Sequence, residues 1–257
     1  MIMILNVMNK DILLVILMLF PYLMTMLGII VTSIFKKYLL KIDEMVFTSF
    51  SSGLMLSLSI FSLLLPSFNQ NQNNNVLIVI GFTFGLVLLN IINYLMMVHK
   101  RKGKGKTFFS NLLLSIIIHD AIEGLVLGFS FGNIDINLNM VLSMGISFSL
   151  AISNFLDGAF LYMTLKMNCQ KEKKVIFYSF FISLIELIFL ILGLLLSIKL
   201  RFLESFFLSF ASSVIFFINI EDLIPLIYKE KQKIINRLFF LLGFILIMIL
   251  ELFLVGI

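Results

Sequence analysis

Charged residues, cysteine and tryptophan are scarce in this chain of 257 residues. Asp, Glu, Lys and Arg make up 13% of it and hydrophobic residues 61%, whereas soluble domains are about a quarter charged and half apolar. This balance predicts an integral membrane protein with no room for a sizeable soluble domain. Cys169 is the only cysteine, which excludes a disulfide or a thiolate metal cluster within one chain. The absence of tryptophan indicates an AT-rich genome and says nothing about activity.

Apolar runs separated by short loops fill the sequence, and each is near the ~20 residues that a membrane-spanning helix needs. We expect one all-α membrane domain over residues 1–257. Its eight spans are predicted at roughly 11–35, 45–68, 76–99, 108–132, 139–166, 174–198, 203–228 and 233–257. The first run is longer than a signal-peptide core, and no small-residue cleavage site follows it, so we expect it to be retained as a span.

The basic residues concentrate in alternate loops. Most of the 19 Lys and Arg residues fall in the loops after the first, third, fifth and seventh runs. The positive-inside rule places those loops in the cytoplasm and both termini outside. A nucleic-acid partner is the poorer interpretation, because the basic residues lie in separate short loops. No segment resembles a nucleotide-binding loop, which argues against coupling to ATP hydrolysis.

Two of the apolar runs carry polar residues at mid-membrane depth. The fourth reads IIIHDAIEGLVLGF and the fifth LAISNFLDGAFLYM. The polar residues are His119, Asp120 and Glu123 in the fourth run, and Ser153, Asn154 and Asp157 at the same intervals in the fifth. Such spacing places each trio on one side of its helix, and a glycine after each acid permits close helix packing. The pair of motifs predicts two helices that face a common cation.

The chemistry of these residue types favours a divalent metal. A charged side chain in the middle of a membrane helix costs about 2.5–3.5 kcal/mol by the lower estimates, and it persists where it meets an ion or another polar group. Imidazole with carboxylates suits Zn²⁺, Fe²⁺ and Mn²⁺. The alternatives are a satisfied core histidine at position 119 and acids that pair through their own protons. Ser153 and Asn154 serve equally well as interhelical hydrogen-bonding groups.

Further acids lie in the last three runs. Glu186 is in the sixth run, and Glu221 and Asp222 precede Pro225 in the seventh. The seventh-run acids lie near the cytoplasmic end of their span, so an interfacial role and an ion-path role are both open. Pro225 predicts a kink or an end of that helix. Glu251, near the chain end, is predicted to be an interfacial residue.

In order and spacing, these motifs resemble those of the ZIP family of divalent metal transporters, especially its GufA-like branch. The stretch HDAIEG at 119–124 resembles the family's His-Asn-x-Pro-Glu-Gly, and SNFLDG at 153–158 resembles the fifth-span version. Residues 183–186 resemble the start of its sixth-span motif, and EDLIP at 221–225 resembles Asp-Glu-Leu-Ile-Pro. The second span is also similar, and the likeness covers most of the chain.

The resemblance implies a fold, a site and a movement. The fold is an inverted-repeat bundle of eight helices with outward termini, in which helices one, four, five and six move like an elevator against the others. The binuclear-type site would use His119, Glu123, Ser153 and Asp157 for one ion, and Asp120, Asn154, Asp157 and Glu186 for the second, with Glu221 and Asp222 on the exit path. The resemblance also implies a homodimer that carries Zn²⁺, Fe²⁺ or Mn²⁺ into the cytoplasm, with no prosthetic group and no enzymatic activity.

Departures from the family pattern predict altered metal preference. Ser153 replaces a frequent histidine, Asp157 is shorter than glutamate, and Asp120 adds a negative charge. Both prolines of the paired motifs are absent, which predicts weaker local helix breaks, and the loop after the third span lacks a histidine cluster. The resulting oxygen-rich set, with one imidazole, favours the harder ions Mn²⁺ and Fe²⁺ over Zn²⁺.

Two other functions remain open from the sequence. The first is a degenerate member of the family that binds metal as a sensor or assembly protein without transport. The second is an intramembrane metallohydrolase, for which His99 and His119 alone supply too few nitrogen ligands. The plasma membrane is the default location, and an organellar membrane is the alternative.

Overall fold

A computed structural model of the protein describes residues 10–39, 44–70, 75–100, 107–132, 138–168, 171–229 and 234–255. Within these ranges every residue except Lys171 is helical and there is no strand. In chain order the helices are α1 (Lys10–Leu39), α2 (Glu44–Ser57, Leu58–Leu64 and Leu65–Gln70), α3 (Asn75–Lys100), α4 (Thr107–Gly132), α5 (Leu138–Asn168), α6 (Glu172–Leu200), α7 (Glu204–Ile218, Asn219–Leu223 and Ile224–Lys229) and α8 (Ile234–Val255).

Two helices change their winding before a proline. The middle segments of α2 (Leu58–Leu64) and α7 (Asn219–Leu223) are π-helical, and Pro66 and Pro225 follow them. A proline removes a backbone donor, and a π segment is a common way of accommodating such a defect. The α7 helix continues beyond Pro225 to Lys229, so the proline does not end it.

Among the described residues, six stretches are long and apolar enough to cross a membrane, which indicates a multi-pass membrane protein. They are Ile12–Phe35, Met45–Phe68, Asn75–Leu95, Ser143–Lys166, Glu172–Glu221 and Ile234–Phe253. The fifth of these contains a 3₁₀ turn at Arg201–Leu203 that separates α6 from α7. The helices lie within a few residues of the predicted runs.

The distribution of side chains is the reverse of that in a soluble protein. Leucine, isoleucine, valine and phenylalanine are exposed along α1, α3, α6 and α8, whereas serines of α2, α5 and α7 are buried. A lipid-facing surface explains the exposed apolar residues, because hydrocarbon solvates them without cost. Many of the buried hydroxyls hydrogen-bond one another, a backbone carbonyl of their own helix or, for Ser212, a carbonyl of a neighbouring helix.

The helices pack most extensively as four pairs: α1 with α5, α2 with α8, α3 with α7, and α4 with α6. Glycines at these contacts let the backbones approach closely. An added Cβ would meet backbone atoms of the partner helix at Gly28, Gly53, Gly124, Gly158, Gly193 and Gly243. Close approach at small residues is the usual way in which membrane helices gain packing energy.

Each pair is parallel, because the contacts advance in the same direction along both members. In α2 and α8, for example, Gly53 faces Phe240 and Ser62 bonds Glu251. The corresponding contacts are Leu17 with Ser147 and Gly28 with Phe155 in α1 and α5, Gly81 with Phe206 and Gly85 with Phe210 in α3 and α7, and Gly124 with Glu186 and Gly128 with Leu190 in α4 and α6.

Polar contacts join the pairs into two groups. The site group consists of α1, α4, α5 and α6, whose polar side chains meet midway along the helices. The flanking group consists of α2, α3, α7 and α8. In the flanking group Ser52 donates to Asn219 Oδ1 at 2.7 Å, and Ser212 donates to the Ser59 carbonyl at 2.8 Å. These two contacts run in opposite directions along α2 and α7, so these helices are antiparallel.

Candidate metal centre

The predicted ligands lie near the middle of the site group. His119 and Glu123 are near the midpoint of α4, Ser153 and Asp157 are near that of α5, and Glu186 is near that of α6. Both α4 and α5 run through their motifs without a break, as expected from the missing prolines. The site therefore projects from the middle of continuous helices.

His119, Glu123 and Asp157 form the compact part of the site. Each offers one ligand atom, and these atoms all lie within 4.8 Å of one another. The Nε2 atom of His119 is 3.1 Å from Oε1 of Glu123 and 3.7 Å from Oδ2 of Asp157. The i,i+4 spacing on α4 supplies two of these atoms, and α5 supplies the third. One nitrogen and two carboxylate oxygens suit a borderline divalent ion.

Burial leaves several of these atoms without partners. Glu123 is 1% exposed and His119 is 5% exposed. Within the described part of the chain, both imidazole nitrogens and both Glu123 oxygens are buried without a hydrogen-bond partner. The 3.1 Å approach therefore brings two ligand atoms together without hydrogen-bond geometry. Unsatisfied buried polar groups are costly, so the arrangement favours a bound cation that they share.

Ser153 acts on Asp157. It is fully buried, and its Oγ donates to Oδ2 of Asp157 at 3.1 Å. This is the same oxygen that lies nearest to the His119 imidazole. The hydroxyl therefore orients the shorter acid toward the centre, in addition to its expected role as a weak ligand.

A second polar set lies beside the compact group. Asn154 Nδ2 donates to Oε1 of Glu186 at 2.7 Å, and the Oδ1 of Asn154 is buried without a partner among the described residues. Thr25 of α1 donates to the other oxygen of Glu186 at 3.5 Å. An amide oxygen and carboxylate oxygens are ligands for hard cations. Asp120 is also buried, yet it does not belong to the compact group of ligand atoms.

The site has a polar anchor at one end of the site group. Tyr162 of α5 donates to Glu172 Oε1 at 2.8 Å, and Ser33 of α1 donates to the same oxygen at 3.4 Å. Lys166 lies 3.8 Å from Glu172 Oε2. These contacts join α1, α5 and α6 at the beginning of α6.

The remaining polar residues include one acid that differs from its prediction and one neighbour of the site that was not predicted. Glu251 is buried, 1% exposed, so the prediction of an interfacial residue is wrong. The Glu251 side chain is buried because α8 packs beside α2, and its distance from the chain end does not determine this burial. Glu221 is exposed, and the Asp222 side chain lies outside the described residues, as does that of His99. Thr25 is a site neighbour that the sequence reasoning missed, since a lone threonine in an apolar run carries no signal of its own.

No family model matches the chain, and no curated protein matches it either.

Proposed function

We propose that this protein is a ZIP-like transporter that moves divalent metal cations into the cytoplasm by alternating access. The observation that carries the proposal is the buried group of His119, Glu123 and Asp157, whose ligand atoms lie within 4.8 Å of one another. They lie midway along apolar helices, where a carrier needs its site to be reachable from each side in turn. The proposed cargo is Mn²⁺ or Fe²⁺ in preference to Zn²⁺, because oxygen atoms outnumber the one imidazole.

A correspondence between two sets of helices supports the inverted-repeat part of the proposal. If α2 is matched to α7, Ser52 corresponds to Ser212 and Ser59 corresponds to Asn219. The contact of Ser52 with Asn219 then has its counterpart in the contact of Ser212 with Ser59. These counterparts are separated by about 160 residues, as are the prolines that follow the two π segments. The pairing of α1 with α5 likewise corresponds to that of α6 with α4, and α2 with α8 corresponds to α7 with α3.

The parallel pairs support eight alternating spans, and the positive-inside rule is the support for outward termini. Each pair joins helices of the same parity in chain order, as alternating crossings of a membrane require. Matching α1–α3 to α6–α8 relates helices that are five positions apart in the chain. Because successive spans cross in alternate directions and five is an odd number, the two sets have opposite orientation. Transporters built in this way bind their substrate near the midplane, where the two repeats meet.

Flux measurement with matched variants tests the proposal. Purified protein is reconstituted in proteoliposomes, and uptake of radiolabelled manganese and zinc is followed. We expect uptake by the unaltered protein and a loss of at least about tenfold, or 1.4 kcal/mol, in Glu123→Ala and in Asp157→Ala. Glu172→Gln is the matched control, because it changes a carboxylate outside the centre and keeps an oxygen for Tyr162.

The same experiment separates the alternatives. Metal binding that is sensitive to Glu123→Ala but accompanied by no flux would favour a sensor or assembly protein. Uptake that is unchanged in both alanine variants would place the cargo elsewhere and overturn the proposal. We further propose that the site group moves against the flanking group, and that the protein is a homodimer in a membrane that the chain itself does not specify.

A further inference from the structure

Glu251 is a buried carboxyl group that the metal centre does not use. It lies four residues before the last residue of α8 and is 1% exposed. Its Oε1 accepts hydrogen bonds from two hydroxyls, that of Ser62 at 2.5 Å and that of Ser149 at 2.8 Å. Three helices thus supply one polar cluster: α2 at its π segment, α5 and α8.

This cluster bridges the two helix groups. Ser62 and Glu251 belong to the flanking group, and Ser149 belongs to the site group. The other polar contacts described above join helices of the same group. A movement of the site group along the flanking group must therefore break the bond between Ser149 and Glu251.

The cluster lies close to the metal centre but outside it. Ser149 precedes Ser153 by one turn of α5, which is about 6 Å along the helix. It lies toward the beginning of α5, and this is the extracytoplasmic side in the proposed topology. In that topology the Glu251 carboxyl group lies between the candidate centre and the extracytoplasmic ends of the helices.

The cations on the helices that supply the cluster are distant from Glu251. They are Lys166, about 26 Å from Ser149 along α5, and Arg237, about 21 Å from Glu251 along α8. The nearest other charged groups on these helices and on α7 are acids: Asp157 at about 12 Å along α5, Glu44 at about 27 Å along α2, and the buried Glu204 of α7 at about 8 Å along the axis from Ser62. Among the ion pairs of the described residues none includes Glu251.

Burial without a cation favours the neutral carboxyl group. An ionised carboxylate at this buried position loses its hydration, and two hydroxyl donors on one oxygen offset only part of that free-energy cost. Both donors use Oε1, so Oε2 is the atom that can carry a proton. When the two groups separate and water enters, the ionised form regains its hydration.

We propose that Glu251, with Ser62 and Ser149, is a proton-binding site that closes the extracytoplasmic side of the metal centre. The carboxylate takes one proton from extracytoplasmic water as the groups close, and it returns that proton when they separate. The inference rests on the proposed movement of the site group, and it adds a second titratable site that is distinct from the metal ligands.

A reporter thiol on α5 tests the proposal. Ile146 is 2% exposed and precedes Ser149 by three residues, so it lies on the same face of the helix. The parent carries Ile146→Cys and Cys169→Ser, and a membrane-impermeant maleimide is added to the extracytoplasmic side of proteoliposomes. The rate of labelling is measured at a series of external pH values and divided by the rate of the same thiol in unfolded protein at that pH, because the reactive thiolate fraction itself rises with pH. This corrected labelling rate reports how often the groups separate there, and it is the labelling rate meant below.

Proton release accompanies opening, so high pH favours the open state. One linked proton changes the opening equilibrium by at most about tenfold per pH unit, and the labelling rate of the parent is expected to rise with pH. Glu251→Gln keeps the shape and cannot ionise, so we expect it to hold the rate near the parent's acidic value. The difference between parent and variant isolates this carboxyl group, because the metal ligands titrate in both.

Two serine variants control for packing. Ser149→Ala removes the bond between the groups and is expected to raise labelling at every pH. Ser147→Ala removes a buried bond of the same helix to the Leu17 carbonyl inside the site group, and it is expected to leave the pH profile unchanged. Identical profiles for the parent and Glu251→Gln, or no labelling in any variant, would overturn the inference. If the parent shows the expected pH profile of labelling but no metal flux, the proposed transport is overturned and the inference about Glu251 is not.

Discussion

Replacing Gly124 with alanine provides a sharp test of how packing positions the candidate metal centre. A Cβ atom at this position would lie 2.9 Å from the carbonyl carbon of Glu186 and closer still to its oxygen. Carbon atoms pack at about 3.5–4.0 Å, so the contact with the carbonyl carbon alone requires α4 and α6 to move apart by roughly 0.6–1.1 Å, and the closer contact with the oxygen requires more. Overpacking of this kind costs about 1–3 kcal/mol. It also displaces Glu186 from the two ligands that α4 carries.

Gly53→Ala is the matched control for this substitution. Its Cβ would lie 2.9 Å from the carbonyl carbon of Phe240, but on α2 and α8 of the flanking group. We expect the unfolding temperature of both variants in detergent to fall by a few degrees, because each added Cβ clashes with the partner helix to nearly the same extent. Only Gly124→Ala is expected to weaken metal binding by about tenfold, equivalent to 1.4 kcal/mol.

Thermal unfolding and calorimetric metal titration of the two purified variants provide both measurements. Equal losses of metal affinity in the two variants would show that general destabilisation, rather than displacement of the ligands, weakens the site. Full stability of Gly124→Ala would show that the helices are not in close contact at this glycine. Either result would refute the reasoning.

Three further substitutions test individual contacts. Ser153→His adds an imidazole next to Asp157 and should raise the preference for Zn²⁺ over Mn²⁺ in competition uptake; an unchanged preference would place this residue away from the ion. Asn154→Leu leaves Oε1 of Glu186 without its donor, at a cost of about 1–3 kcal/mol. It should lower the unfolding temperature more than Ser183→Ala, the control, which removes only a hydroxyl bonded to the Ser179 carbonyl of its own helix. Tyr162→Phe removes the donor to Glu172, and a loss of about 1 kcal/mol is expected in thermal unfolding with metal affinity retained; loss of metal affinity would contradict this separation of anchor and site.

Residue spacing was sufficient to predict the helices and the convergence of His119, Glu123 and Asp157. A period of 3.6 residues places Glu123 about 40° around α4 from His119, so the two point in one direction. Asp120 lies about 100° from His119, which accounts for its place beside the compact group rather than in it. The family likeness of the motifs and the metal they hold stay predictions.

Helix pairing could not be predicted in the same way. Periodicity shows which face of a helix is polar, and it does not identify the helix that covers that face. Thr25 meets Glu186 only because α1 packs beside the site, and Glu251 is buried only because α8 runs parallel to α2. Both features depend on contacts between distant parts of the chain, for which the sequence carries no local signal.

The frame of the site is close to symmetric, whereas its ligands are not. Exchange of α4 with α5 relates His119 to Ser153, Asp120 to Asn154, and Glu123 to Asp157. The glycine after each acid then packs on a counterpart residue, Glu186 on α6 or Thr25 on α1. One half of the site therefore has an imidazole and three acids, two of them glutamates, and the other half has two hydroxyls, an amide and one shorter acid. An ion held from one side only has fewer strong bonds to break when that side opens. The proposed transport requires release as well as binding, so in that cycle the weaker half is the one expected to exchange ligands with water.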